Sequence, residues 1–166
     1  DGRLLAYALS EAGSDWVAWH VREVASGRDR PDLVRWSKAS GASWRRDGSG
    51  FYYSRFPEPR AGDALTAVNR NHQVFFHRLG TPQSRDRLVF QRPDQPEWYL
   101  GAGVTDDGRY LIVYISQGTD PRNRVFLQDL GAPASRVTKT AGRPPGLVRG
   151  QTSVASIGKT QAVSGS

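Results

Sequence analysis

Gly103-Val104-Thr105-Asp106-Asp107-Gly108-Arg109-Tyr110-Leu111-Ile112-Val113-Tyr114 reads as a strand end, a tight turn and a second strand. Asp before Gly is the turn signal, because Asp accepts hydrogen bonds from its own turn and Gly supplies a positive φ. The β-branched and aromatic run that follows suits a pleated, half-buried surface. The same unit recurs upstream. Ser43-Trp44-Arg45-Arg46-Asp47-Gly48 leads into Gly50-Phe51-Tyr52-Tyr53-Ser54-Arg55, and Asp1-Gly2-Arg3 leads into Leu4-Leu5-Ala6-Tyr7-Ala8. The three turns start 46 and then 60 residues apart. Each is followed by a further strand, Val17 to Val24, Val74 to Leu79 and Val125 to Leu130, and two of these by a fourth, Asp32 to Ser37 and Asp86 to Gln91. Four antiparallel strands with an Asp-Gly hairpin between the first two describe a propeller blade.

Working outward, nothing keeps a 3.6-residue period over helical length, so the fold class is all-β: a partial β-propeller of about two and a half four-stranded antiparallel blades. Pro57 to Asn71 and Gln117 to Asn123 are poor in strand formers and read as loops on the rims. From Gly131 the composition changes. No aromatic residue follows Phe126, and Gly, Ser, Thr and Pro dominate. The chain therefore divides into 1–130, a partial propeller, and 131–166, an irregular or disordered tail in which Val154 and Ile157 are too sparse to predict a strand. Gly142-Arg143-Pro144-Pro145-Gly146-Leu147 has the character of an out-of-frame reading of GC-rich coding sequence.

Charge does not name a partner. Of the net +7, five basic residues lie in the tail (Arg136, Lys139, Arg143, Arg149, Lys159) with no acid, leaving 18 basic against 16 acidic residues elsewhere. The basic residues of the body are interleaved with acids, which argues against a nucleic-acid groove. No apolar run approaches the ~18 residues of a membrane span, so neither nucleic acid nor membrane is an expected partner. Zero cysteines exclude disulfides and thiolate chemistry and fit a cytoplasmic protein. The chain opens on Asp1 and holds no methionine, so it reads as processed or as part of something longer.

Direct tests for chemistry are negative. Gly41-Ala42-Ser43-Trp44-Arg45 fails as a nucleophile elbow at its last position and precedes a hairpin rather than a helix. His20 and His77 lie within predicted strands and His72 enters one. No orienting carboxylate or nucleophile is brought to any of them by the sequence, and His72 with His77 is no metal pattern. Asp47, Asp106 and Asp107 read as turn residues rather than paired carboxylates. Trp44 is expected to pack between sheets, Trp16, Trp36 and Trp98 to sit at strand ends, and Trp19 mid-strand. No catalytic, metal or cofactor residue is assigned, and no substrate-binding residue can be named.

Several loop and turn segments carry a resemblance. Asp1 to Ser10 running into Gly13-Ser14-Asp15-Trp16-Val17, Ser40 to Trp44, and Asp47 to Pro57 form its first part. His77-Arg78-Leu79-Gly80-Thr81-Pro82-Gln83-Ser84, Asp106 to Leu111 and Gly118 to Arg124 complete it. Together they resemble the early propeller blades of the prolyl oligopeptidase family, from Asp1 to about Leu130. The resemblance implies a seven-bladed parent propeller capping an α/β-hydrolase domain, the expected partner. That domain would carry the serine, aspartate and histidine for hydrolysis of short peptides after proline. It also implies that these residues form walls and rims gating substrate, and that the chain alone is inactive. The alternative is a propeller segment used as a non-catalytic binding scaffold. Either way, sheet faces left bare at both ends predict an aggregation-prone or partly folded isolated chain.

Overall fold

The computed structural model describes residues 2–10, 14–60, 69–120 and 123–131, and the backbone of 154–157. The described residues form eleven strands in three antiparallel sheets. The first sheet is β1 (Leu4–Ser10), β2 (Val17–Glu23) and β3 (Asp29–Ser37). In the second, β4 (Ser43–Trp44), β5 (Gly50–Arg55), β6 (Gln73–Arg78) and β7 (Arg87–Gln91) follow one another in space as in sequence. The third repeats that order with β8 (Tyr99–Val104), β9 (Tyr110–Ser116), β10 (Asn123–Asp129) and β11 (Val154–Ile157). This is the all-β partial propeller read from the sequence.

The Asp-Gly turns set the register. Gly48 and Gly108 take φ of 69° and 72°, a region L-residues rarely visit, so that Trp44 faces Phe51 and Val104 faces Leu111 across the hairpins. Gly2, with φ 70°, occupies the same place before β1. Thus β1, β5 and β9 are equivalent, and the first sheet holds the counterparts of the second to fourth strands of the other two.

Burial follows position in the stack. The middle strands β5 and β6 are covered on both faces, so Phe51, Tyr52, Tyr53, Val74, Phe75 and Phe76 are all buried in unbroken runs. In β9 the pattern alternates. Leu111, Val113 and Ile115 face the second sheet, while Tyr114 is half exposed and lies across Gly101 and Gly103 of β8. Gly50 begins β5 where a Cβ would overlap the His77 carbonyl, so no other residue fits there without moving a strand.

Beyond residue 130, where the sequence pattern stops, Val154–Ile157 pairs antiparallel with β10, from Asn123 opposite Ile157 to Phe126 opposite Val154. The third sheet is thereby four-stranded. Residues 132–153 and 158–166 of the tail lie outside the described residues, as does 61–68 of the predicted 57–71 loop.

Candidate functional site

One end of the stack carries the β1 start, both Asp-Gly turns and the β2–β3 turn, and there an open cleft of about 710 Å³ is formed. Its charged wall is supplied by Arg3, Arg30, Arg45 and Arg46 with Glu23, Asp47 and Asp106. These charges are largely spent on one another. Arg30 reaches Asp32 at 3.1 Å and Glu23 at 3.7 Å, Arg45 reaches Asp47 at 3.0 Å, and Arg46 Nη1 donates to the Asp107 carbonyl at 2.5 Å. The cleft is walled by arginines and carboxylates, several of them held in ion pairs.

The aspartates of both turns act locally, as their sequence places predict. Asp47 Oδ1 accepts from the Ser49 amide and hydroxyl, and Asp107 Oδ1 accepts from the Arg109 amide and the Thr105 hydroxyl. Those bonds hold both carboxyl groups below the usual carboxylate range. Ser43 lies in β4, and its Oγ accepts the Val104 amide at 2.8 Å, tying the second sheet to the third.

The histidines separate into three environments. His20 is a β2 residue stacked on Tyr7. His72 lies just ahead of β6, buried and stacked on Phe56 with ring centroids 4.2 Å apart. Its Nδ1 accepts the Leu100 amide at 2.9 Å, so the neutral ring carries its proton on Nε2, which is buried without a hydrogen-bond partner. Burial lowers its pKa to about 4, with the Lys38 carbonyl offsetting a little of that.

His77 sits on β6 between two carboxylates. Nδ1 is 2.8 Å from Asp86 Oδ1 and Nε2 is 3.2 Å from Asp32 Oδ1, and all three side chains are essentially inaccessible. Asp86 Oδ2 accepts the Tyr53 hydroxyl at 2.7 Å, while Asp32 also takes the Gly80 amide and Arg30 Nε. An Asp–His pair at this distance is half of a charge-relay arrangement, but the other ring nitrogen faces a second carboxylate instead of a nucleophile. No substrate can reach the ring. The cluster joins the first sheet, through Asp32 of β3, to the second.

The tryptophans divide much as predicted. Trp44 packs among the apolar residues between the first two sheets, edge-on to Phe51. Trp98, at the start of the third sheet, is buried and donates Nε1 to Gln117. Guanidiniums of Arg92 and Arg124 each sit 4.7 Å from its ring. Trp16 meets Trp36 and Phe56 edge-on at the opposite end of the stack from the cleft. Among the described residues no three His, Cys, Asp or Glu side chains are arranged to hold a metal, and no helix is long and apolar enough to cross a membrane.

Residues 1–155 match the family described as "Prolyl oligopeptidase, N-terminal beta-propeller domain". The prolyl endopeptidase of Elizabethkingia meningoseptica is 39% identical over 129 residues, a match covering 78% of this chain and 18% of that enzyme. Prolyl oligopeptidase A of Amanita bisporigera is 34% identical over 147 residues, covering 78% and 19%. A structure from a comparative study of two prolyl endopeptidases superposes with a TM-score of 0.73 at 36% identity, over 96% of this chain and 20% of that one. Prolyl oligopeptidase B of Galerina marginata, bound to a 35mer substrate, gives 0.71 at 33% identity, over 78% and 19%. The chain thus spans about a fifth of the length of these relatives, all within their propeller portion. Three stacked antiparallel sheets, Asp-Gly hairpins at matching places and a match along nearly the whole sequence agree, and the chain belongs to the N-terminal β-propeller domain family of the prolyl oligopeptidases.

Proposed function

We propose that these blades belong to a serine peptidase that hydrolyses short peptides after proline, and that their part in it is steric selection rather than chemistry. The observation that carries this reading is the match over residues 1–155 to a propeller whose relatives are named as prolyl endopeptidases and oligopeptidases. The geometry supports the division of labour: His72 and His77 bond between sheets, and Asp47 and Asp107 hold their hairpin turns. The peptide bond is cleaved by a nucleophile, base and oxyanion donors on an α/β-hydrolase domain against which the propeller seats. Rigid propeller walls admit an extended peptide and exclude a folded protein.

The test uses a succinyl-Gly-Pro-aminocoumarin substrate and an active-site serine titrant, on the 166-residue chain and on a polypeptide joining it to its hydrolase domain. The joined protein is expected to turn over and label stoichiometrically, and the chain alone to do neither. Labelling of the chain alone would overturn the assignment of roles. A joined protein inert towards proline substrates would favour the binding-scaffold reading.

A further inference from the structure

His77 is buried with both ring nitrogens aimed at carboxylates, a geometry that satisfies only one protonation state. A neutral imidazole has one donor and one acceptor, so one of its nitrogens would direct a lone pair at an aspartate. The imidazolium has two donors and meets both Asp86 and Asp32. The charges around the ring are countable. Asp32 and Arg30 come from β3, Asp86 precedes β7, and β5 contributes the Tyr53 hydroxyl to Asp86 and the Phe51 ring 5.3 Å from the imidazole. Glu23 of β2 reaches Arg30 from the other side at 3.7 Å, so the guanidinium is shared and the imidazolium is the cation that the two buried carboxylates hold between them. With the ring neutral, the buried cluster carries an uncompensated negative charge.

The same three residues are a seam between sheets. Asp32 belongs to the first sheet, His77 and Asp86 to the second, and the Gly80 amide, in the turn after β6, also donates to Asp32. Beside them, the Gln83 side chain pairs with the backbone of Arg35, accepting from its N–H and donating to its carbonyl. We propose that Asp32, His77 and Asp86 form a proton-dependent latch between the first and second sheets, closed while the imidazole carries both protons and released when it loses one. Burial works against the charged ring, but the two carboxylates outweigh it and raise the His77 pKa above its ordinary value. A raised imidazole pKa stabilises fully below the unfolded value of ~6.5 and is lost as pH rises through the folded value. Release is therefore alkaline.

The experiment is hydrogen exchange of the full chain as pH is raised from neutral, corrected for intrinsic base catalysis, with the ring nitrogens followed by NMR. Both His77 nitrogens are expected to stay protonated to higher pH than those of a free imidazole. Protection of the Arg35 and Gly80 amides, which bond across the seam, is expected to fall by up to about tenfold per pH unit once the ring titrates. The Val104 and Leu100 amides, which bond between the second and third sheets, serve as the internal reference and stay level. In Asp86→Asn the amide can donate to Nδ1 of a neutral ring and still accept from Tyr53, so the pH dependence flattens with the seam intact. A ring that loses its proton no later than a free imidazole, loss of protection in step at both junctions, or an unchanged slope in Asp86→Asn would overturn the latch. Should that variant fail to fold, the ring's protonation state and the two sets of amides decide on the unmodified chain.

Discussion

The two junctions between sheets are built from different materials. Between the second and third sheets lie ten buried residues, among them Tyr52, Phe76, Phe90, Trp98, Leu100 and Leu111, none of them charged. Between the first and second lie five, Val21, Val34, Phe51, Tyr53 and Phe75, flanked by partly buried Leu4, Trp19, Ala42, Trp44, Leu79 and Leu88, and a buried polar network is set beside them. There Asp32, His77, Ser37 and Ser54 are buried, with Ser37 Oγ donating to the Ser54 carbonyl at 2.6 Å and accepting from Trp19 Nε1. Apolar contact is non-directional and indifferent to pH, whereas a buried ion network is strong only while every member keeps its partner. Equivalent joints in one repeating fold can thus be given different sensitivities by side-chain choice alone.

The largest expected effect breaks the apolar joint. Phe90→Ala empties a site between the second and third sheets where the ring meets Phe126 at 4.8 Å. It should cost about 4 kcal/mol by urea unfolding, equally at every pH near neutrality. A cost below about 1 kcal/mol would mean that the sheets part before the core opens. Next comes Asp32→Ala in the polar joint, which leaves His77 Nε2, Arg30 and the Gly80 amide short of an acceptor. A loss of roughly 3 to 4 kcal/mol is expected, together with loss of the alkaline fall in stability. Burial alone would raise the Asp32 pKa, yet the Gly80 amide, Arg30 and His77 leave it lowered. Its contribution is therefore present above the unfolded value of ~3.8 and lost as pH falls below it.

His72 gives the second joint an acid weakness of opposite sign. Its pKa of about 4 in the fold, against 6.5 free, means that the unfolded chain binds a proton the native one refuses. Stability should fall by about 3 kcal/mol between pH 6.5 and 4. His72→Gln should flatten that limb while leaving the alkaline one in place. An acid limb unchanged in the variant would assign it to the carboxylates instead.

How much of this the sequence carries depends on distance along the chain. The hairpins are legible because their determinants are adjacent: Asp47-Gly48 and Asp107-Gly108 fix turn and register within a few residues. β3 and β7 were read almost to their ends, as Asp32 to Ser37 and Asp86 to Gln91, where the strands run Asp29–Ser37 and Arg87–Gln91. β11 is invisible because its partner β10 lies some 30 residues upstream and the four residues Val154-Ala155-Ser156-Ile157 show no pattern of their own. The His77 cluster is hidden for the same reason. Asp32 is 45 residues from His77, and only the stacking of one sheet on the next brings them together. Read singly, His77 is an ordinary strand residue. A faint signal exists in Asp86, which ends a turn-rich segment without a following Gly and so lacks the role that Asp47 and Asp107 have.

The smallest effect probes how the latch shares its donors. Tyr53→Phe removes the hydroxyl that donates to Asp86 Oδ2 at 2.7 Å and lets Gln83 lose a weak contact at 3.4 Å. A hydrogen bond to a buried carboxylate is worth about 1.5 kcal/mol, and the ring itself still packs against Phe75 and Phe51. Neutral-pH stability should drop by about that amount. The position of the alkaline limb is more telling. With one donor fewer, Asp86 depends more heavily on the His77 proton, so the limb should move to higher pH even as the protein becomes less stable. A limb that stays in place would mean that Tyr53 and His77 serve the two oxygens of Asp86 independently. One that moves to lower pH would mean that the hydroxyl orients the carboxylate for the imidazolium, and that the latch includes Tyr53 as its fourth member.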